Sequence, residues 1–154
     1  MNSRRQAFAA ALSISAAGVS FLQQHEGLVQ TVYHDPVGLP TVCWGHMDAS
    51  LKAGTRYSKA RCEALLKMDT VSAHRALADL VKVPLSQNQY DALVSLVFNI
   101  GRDAFARSTL LRKLNDGDYD GAAEEFPRWS YAGGRKIQGL LSRRIDEQAL
   151  FIKE

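Results

Sequence analysis

At Ser58 the hydrophobic pattern of this chain changes period, and that change limits the fold more than any other feature. Upstream, residues 31–48 read TVYHDPVGLPTVCWGHMD, rich in β-branched and aromatic residues and broken by Pro36, Gly38 and Pro40. Thr, Val, Tyr and Trp fit a pleated surface while Pro and Gly set turn geometry, so the stretch predicts a short β-hairpin. Downstream, Cys62, Leu65, Leu66, Ala73, Ala76, Leu77 and Leu80 fall on one broad helical face, with Ser58 as the N-cap and Pro84 as the stop. Ser86 and Gln89 then form a capping-box pattern, and Tyr90, Leu93, Val94 and Val97 follow at i, i+3, i+4 and i+7 of a buried helix. Further helices are expected at about Asp103 to Asn115, stopped by Gly117, at Asp118 to Phe126, and at Leu140 to Lys153 after Ala132, Gly133 and Gly134. The expected fold is α+β and mainly helical. A small β-hairpin lobe lies beside a larger helical lobe, and the cleft between them suits an extended substrate.

A chain of 154 residues with 46% hydrophobic content can bury one core without metals or staples. Nineteen Lys and Arg against 16 Asp and Glu leave a net charge of +3, a mild bias toward acidic partners. Nucleic-acid binders gather their basic residues into a stripe beside a readable motif, and none is present here. Between Arg128 and Arg144 the only charged residues are basic, which reads either as a positive face or as ordinary solvated surface. Cys43 and Cys62 are the only cysteines, with no CxxC pair and no histidine cluster, so neither a metal nor another cofactor is expected. A bridge between them, stabilising by about 3 kcal/mol, and two buried thiols fit the composition equally well.

Arg4 and Arg5 precede an uncharged run from Ala7 to Leu22, a pattern similar to the charged and apolar regions of an export signal. As a helix the run reaches about 24 Å against a hydrocarbon core of roughly 30 Å, and its Ala, Ser and Gly residues make it weakly hydrophobic. A cleaved signal, a weak reversible anchor and a first helix burying Ile14, Val19 and Leu22 all remain open. Cleavage after Ala17 would leave little helix to hold the residues that follow, which favours retention. Residues 1–24 are therefore set apart as an apolar amino-terminal segment, and 25–154 as the main domain.

The chemically suggestive stretch runs from His25 to His46. Glu26 falls where the first helix meets Gly27, and Asp35 and Thr41 fall on the hairpin. Two carboxylates on different elements can have different environments, so that one keeps its proton while the other stays ionised. Glycoside hydrolysis needs that division of labour. A Glu and an Asp nine residues apart are, alone, almost always surface groups.

The surrounding residues change that judgement. Glu26, eight residues, Asp35, five residues and Thr41, flanked by Gly27, Tyr33, Gly38, Trp44, Gly45 and His46, resemble the catalytic signature of phage-type lysozymes, the endolysin family of glycoside hydrolases. QYDALVSLVFNIG at 89–101, STLLRKLNDGD at 108–118, and Trp129, Ala132, Gly133, Gly134, Gly139, Leu140, Arg143 and Arg144 extend the likeness over most of the chain. The resemblance implies a muramidase that hydrolyses the β-1,4 bond between N-acetylmuramic acid and N-acetylglucosamine in peptidoglycan, for host lysis by a phage or prophage. Glu26 would give a proton to the glycosidic oxygen while Asp35 and Thr41 hold the attacking water on the opposite sugar face. The family outcome is inversion, for which the carboxyl groups stand roughly 6.5 to 9.5 Å apart.

Cys43 occupies a position where many members have Gly, and a bridge to Cys62 would match relatives with a membrane-associated amino-terminal segment. Such a protein would be made in the host cytoplasm and act as a monomer in the periplasm, with transient membrane contact through residues 4–22. His46 is expected to orient the catalytic loop. Asn99 either lines the cleft or caps its helix. Arg143 or Arg144 is expected to pair with Glu26, which by itself would lower that acid's pKa. Trp44 and Trp129 read first as core residues and second as sugar platforms. Rival readings are a peptidoglycan-binding module without catalysis, a membrane-active lysis protein, a lytic transglycosylase and, more distantly, a nucleic-acid binder.

Overall fold

The computed structural model describes residues 5–154; Arg4 of the amino-terminal run lies outside them. The first elements are a short strand β1 (Gln6–Ala7), a 3-10 turn at Ala9–Ala11 and helix α1 (Ala16–Glu26). Strands β2 (Val29–His34), β3 (Pro40–Cys43) and β4 (His46–Met47) form an antiparallel three-stranded sheet in that order. The long helix α2 (Lys59–Leu80) follows, then β5 (Leu85–Ser86) and α3 (Gln87–Ile100). Helices α4 (Arg102–Ala106), α5 (Thr109–Asn115) and α6 (Tyr119–Glu124), a hairpin of β6 (Tyr131–Ala132) and β7 (Arg135–Lys136), and α7 (Gln138–Ile152) complete the chain.

Two hydrophobic clusters correspond to the two expected lobes. Val32, Val42, Cys43, Trp44, Cys62 and Leu66 form the smaller one under the sheet. The larger one surrounds Leu77, Tyr90, Leu93, Leu96, Phe105, Leu110, Phe126 and Phe151. Helix α2 runs through both, giving Cys62 and Leu66 to the first and Ala73, Ala76 and Leu77 to the second, so one helix fixes the spacing of the lobes. Phe98 packs against both clusters. Each fully buried leucine contributes on the order of 2 kcal/mol, which makes α3, with nine consecutive buried residues, the centre of the larger lobe. Ser58 caps α2, and Ser86 with Gln89 closes a complete capping box on α3.

At three places packing decides between the readings open to the sequence or departs from them. The run from Ala7 to Leu22 is not one helix, because α1 starts at Ala16, where the Ser15 side chain accepts a hydrogen bond from the Gly18 N–H. Before it, β1 pairs with β5, and Ile14 lies outside the helix although it packs on the larger core. The segment is strapped to α3 by Asp91, which accepts from the Ser15 N–H at 3.1 Å and from the Ser15 hydroxyl. Among the described residues no helix is long and apolar enough to cross a membrane. The helix expected from Asp103 to Asn115 breaks at Arg107, since the Ser108 hydroxyl accepts from the Leu111 N–H and starts α5 afresh. Finally, the basic run between Arg128 and Arg144 is not one positive face: Arg143 and Arg144 are buried at the start of α7, and Arg128 pairs with Glu125.

Candidate active site

Glu26 is the last residue of α1, and Gly27 ends the helix with φ of 68°. A residue at that point leaves the helix pointing toward whatever packs on its end. Here that is α7, whose Arg143 donates from Nη1 to Glu26 Oε1 at 2.6 Å. The pair spans 117 residues of sequence and is largely shielded, with 14% of the Glu26 side chain and 6% of the Arg143 side chain exposed. The second Arg143 amino group reaches the Ser95 carbonyl and hydroxyl of α3 at 3.3 Å each, which locks the guanidinium in place.

The sheet lobe touches Glu26 at Gly45, between β3 and β4. A Cβ added there would lie 2.5 Å from Glu26 Oε2, and the glycine's φ of 69° also disfavours a side chain. Gly45 also lines a cavity with Met47, Asp69, Ala73, Val97 and Phe98, which opens between the sheet lobe, α2 and α3. The carboxyl group thus meets the cleft at its glycine wall.

Asp35 and Thr41 belong to the β2–β3 connection and are held by one another's neighbourhood. Asp35 Oδ1 accepts from the N–H groups of Val37 at 3.0 Å and Leu39 at 2.8 Å, and the Thr41 hydroxyl donates to the Leu39 carbonyl at 3.0 Å. Thr41 sits opposite Tyr33 in the sheet register and is buried, whereas Asp35 is half-buried in the turn. Leu39 therefore ties the two candidate residues together through its own backbone.

The remaining candidates separate. His46 Nδ1 lies 2.9 Å from Asp69 Oδ2, so it ties the sheet to α2. Sequence patterning does not by itself single out Asp69; its i+3 place after Leu66 on α2 is the signal that identifies it. Asn99 is exposed near the end of α3, and the C-cap there is Gly101 at φ 87°, so capping is not its role. Of the two arginines, Arg143 takes Glu26 while Arg144 takes Glu147, Nε to Oε1 at 2.5 Å. Trp44 is buried in the smaller core and Trp129 packs on the larger one, in line with their reading as core residues.

Behind Glu26 lies a buried charge cluster that periodicity does not reveal. Glu147 is wholly buried, and its Oε2 is 3.8 Å from Arg143 Nε. Burial pushes its carboxyl up to about 7, against the pull of Arg144 and Arg143. His25, beside Glu26 in sequence, turns instead to Asp146 at 3.3 Å; burial, then the nearby Arg143, holds its imidazole below the usual range. The structure joins Cys43 to Cys62, linking β3 to the first turn of α2. Cys43 has φ of 63°, a left-handed conformation that glycine adopts without strain. Among the described residues no cluster of His, Cys, Asp and Glu could hold a metal ion.

A shielded carboxyl beside the glycine wall of the cavity between two lobes, with a second carboxyl group on a separate hairpin, is an arrangement compatible with a lysozyme-like glycosidase. The family comparison makes this specific: residues 23–147 match the phage lysozyme model, and the chain belongs to that family, the muramidases. It is 39% identical to the SAR-endolysin of Enterobacteria phage P21 over 96% of this chain and 94% of that one. With the endolysin of Salmonella phage P22 it shares 43% identity, covering 92% and 99%. Among solved structures, the muramidase domain of SpmX from Asticaccaulis excentricus aligns with TM-score 0.85 and 37% identity, over 92% of this chain and 99% of that one. A single-residue mutant of P22 lysozyme aligns at 0.81 and 42%, with the same coverage.

Proposed function

We propose that this muramidase is an endolysin that hydrolyses the β-1,4 bond between N-acetylmuramic acid and N-acetylglucosamine with inversion, using Glu26 as the acid. The observation that carries the reading is the setting of Glu26, held by Arg143 on one side and lying against Gly45 on the other, where any side chain would collide with its Oε2. Such a carboxyl cannot swing away, so its proton stays aimed at a glycosidic oxygen lying in the cleft. As that oxygen takes the proton, the bond to the anomeric carbon breaks and positive charge grows on the sugar ring. Asp35 keeps both backbone bonds on Oδ1, which leaves its other oxygen to accept a proton from water. The Thr41 hydroxyl, donating to Leu39, offers its lone pairs to the same water. Attack from the face opposite the leaving group then inverts the anomeric carbon, provided the carboxyl groups leave roughly 6.5 to 9.5 Å between them.

The kinship with SAR-endolysins supports export to the periplasm through the amino-terminal segment, residues 1–24, and host lysis by the 25–154 domain. His46 serves as a tie that holds the β3–β4 loop on α2, and Asn99, exposed near the end of α3, binds an acetamido or hydroxyl group of the glycan. Peptidoglycan strands are the partner; the chain acts as a monomer.

Release of reducing ends from purified peptidoglycan, followed by NMR of the first-formed anomer, tests the proposal. An α-anomer from the β-linked substrate is expected. A β-anomer would refute inversion, and anhydro-muramyl ends would make the enzyme a transglycosylase. Lysis without bond cleavage would favour the membrane-active or binding readings.

A further inference from the structure

The mechanism leaves a fully buried pair of charged groups on α7 unused. Glu147 has no exposed surface, and neither does Arg144. Together with Glu26 and Arg143 they form a chain of alternating charge that leads from the cleft into the larger lobe. Glu26 meets Arg143 at 2.6 Å, Arg143 meets Glu147 at 3.8 Å, and Glu147 meets Arg144 at 2.5 Å and 3.3 Å. A carboxylic acid needed as a proton donor is poorly served by an arginine at hydrogen-bond distance, because the cation favours the ionised form. Two arginines in succession on α7 would hold that acid ionised even more firmly.

We propose that Glu147 is a positioning residue for the acid: it draws the positive charge of Arg143 and Arg144 onto itself and lets Glu26 keep its proton at working pH. The inference rests on the reading of Glu26 as the acid. With Glu147 ionised, the two arginines and Glu147 carry a net charge of +1 beside Glu26; without it they carry +2. Because the cluster is shielded from water, that one charge, one arginine removed from Glu26, is screened little by salt. Burial raises the Glu147 carboxyl toward neutrality. Its charge is therefore present as pH rises through and above about 7. The other groups facing the cluster do not replace it. His25 from α1 is turned to Asp146, and α3 presents the neutral Ser95.

The test combines the pH profile of kcat with a carbon-13 NMR titration of the Glu26 carboxyl in the full chain. In E147Q both the Glu26 titration and the alkaline limb of kcat should fall by about one pH unit, a tenfold loss of rate above the new limb. In R144Q both should rise, and R144Q/E147Q should lie near the wild type. Opposite shifts are something a purely structural role would not produce. Removing one partner of a buried pair can prevent folding; should E147Q fail to fold, an unmoved Glu26 titration in R144Q overturns the inference. So does a shift of the same sign in both single variants. A Glu26 titration that moves while the rate profile does not would uphold the charge coupling and refute Glu26 as the acid.

Discussion

The end of α1 and the β2–β3 turn each present a carboxyl group, and they are built in opposite ways. Glu26 is held by Arg143, 117 residues away, and lies against Gly45 across the lobe boundary, where a side chain would not fit. Asp35 is held by the N–H groups of Val37 and Leu39, two and four residues on. The first environment exists only in the folded protein; the second needs little more than a turn. A group that must keep a proton needs shielding, which only tertiary packing supplies, whereas one that stays ionised needs donors and access to water, which a turn supplies by itself.

The largest effect should come from the acid. E26Q should lower reducing-end release at least 10² to 10⁴-fold while the circular dichroism spectrum stays native; a folded E26Q that keeps its rate would erase the contrast between the sites. D35N should cut the rate by a comparable or smaller factor and leave stability within about 0.5 kcal/mol, because Asn can accept the same turn bonds. Denaturant melts of D35N that show a larger loss would mean that the turn depends on its charge.

Replacing both cysteines by alanine tests the sheet lobe as a whole, with an expected stability loss of about 3 kcal/mol in urea titrations. An unchanged midpoint would show that packing of β3 on α2 is sufficient. G45A probes the point where the two regions meet. Its Cβ collides with Glu26 Oε2 and its φ is unfavourable, so a loss of about 1–3 kcal/mol with a fall in kcat is expected. A fall in stability alone would show that Gly45 does not help to place the acid.

The smallest effect concerns pH. Glu147 has a raised carboxyl in the folded protein, so it binds a proton that the unfolded chain has already released. Its contribution is therefore fully present below the ordinary glutamate value near 4.5 and is lost as pH rises toward about 7. His25 works in the other direction: its lowered imidazole favours folding above its ordinary value of 6.5 and loses that contribution as pH falls. Unfolding free energies of the wild type, E147Q and H25A across pH 4 to 8 would separate the two slopes.

Much of this protein is legible along the chain. The change of period at Ser58, the capping pair Ser86 and Gln89, the buried stripe of α3 and the hairpin turn around Asp35 all follow from interactions within a few residues. So does the spacing of Glu26, Asp35 and Thr41 that carries the family likeness. The sequence offers both Arg143 and Arg144 as partners for Glu26, but the choice between them depends on which face of α7 meets α1. The strap of Asp91 on Ser15, the pairing of His46 with Asp69, the burial of Glu147 and the contact of Gly45 with Glu26 were decided only by packing. Local sequence determines where helices, strands and turns begin and end, because caps and periodicity act over three or four residues. Which charges are buried together depends on how distant faces meet, and so does the choice of Arg143 as the partner of Glu26.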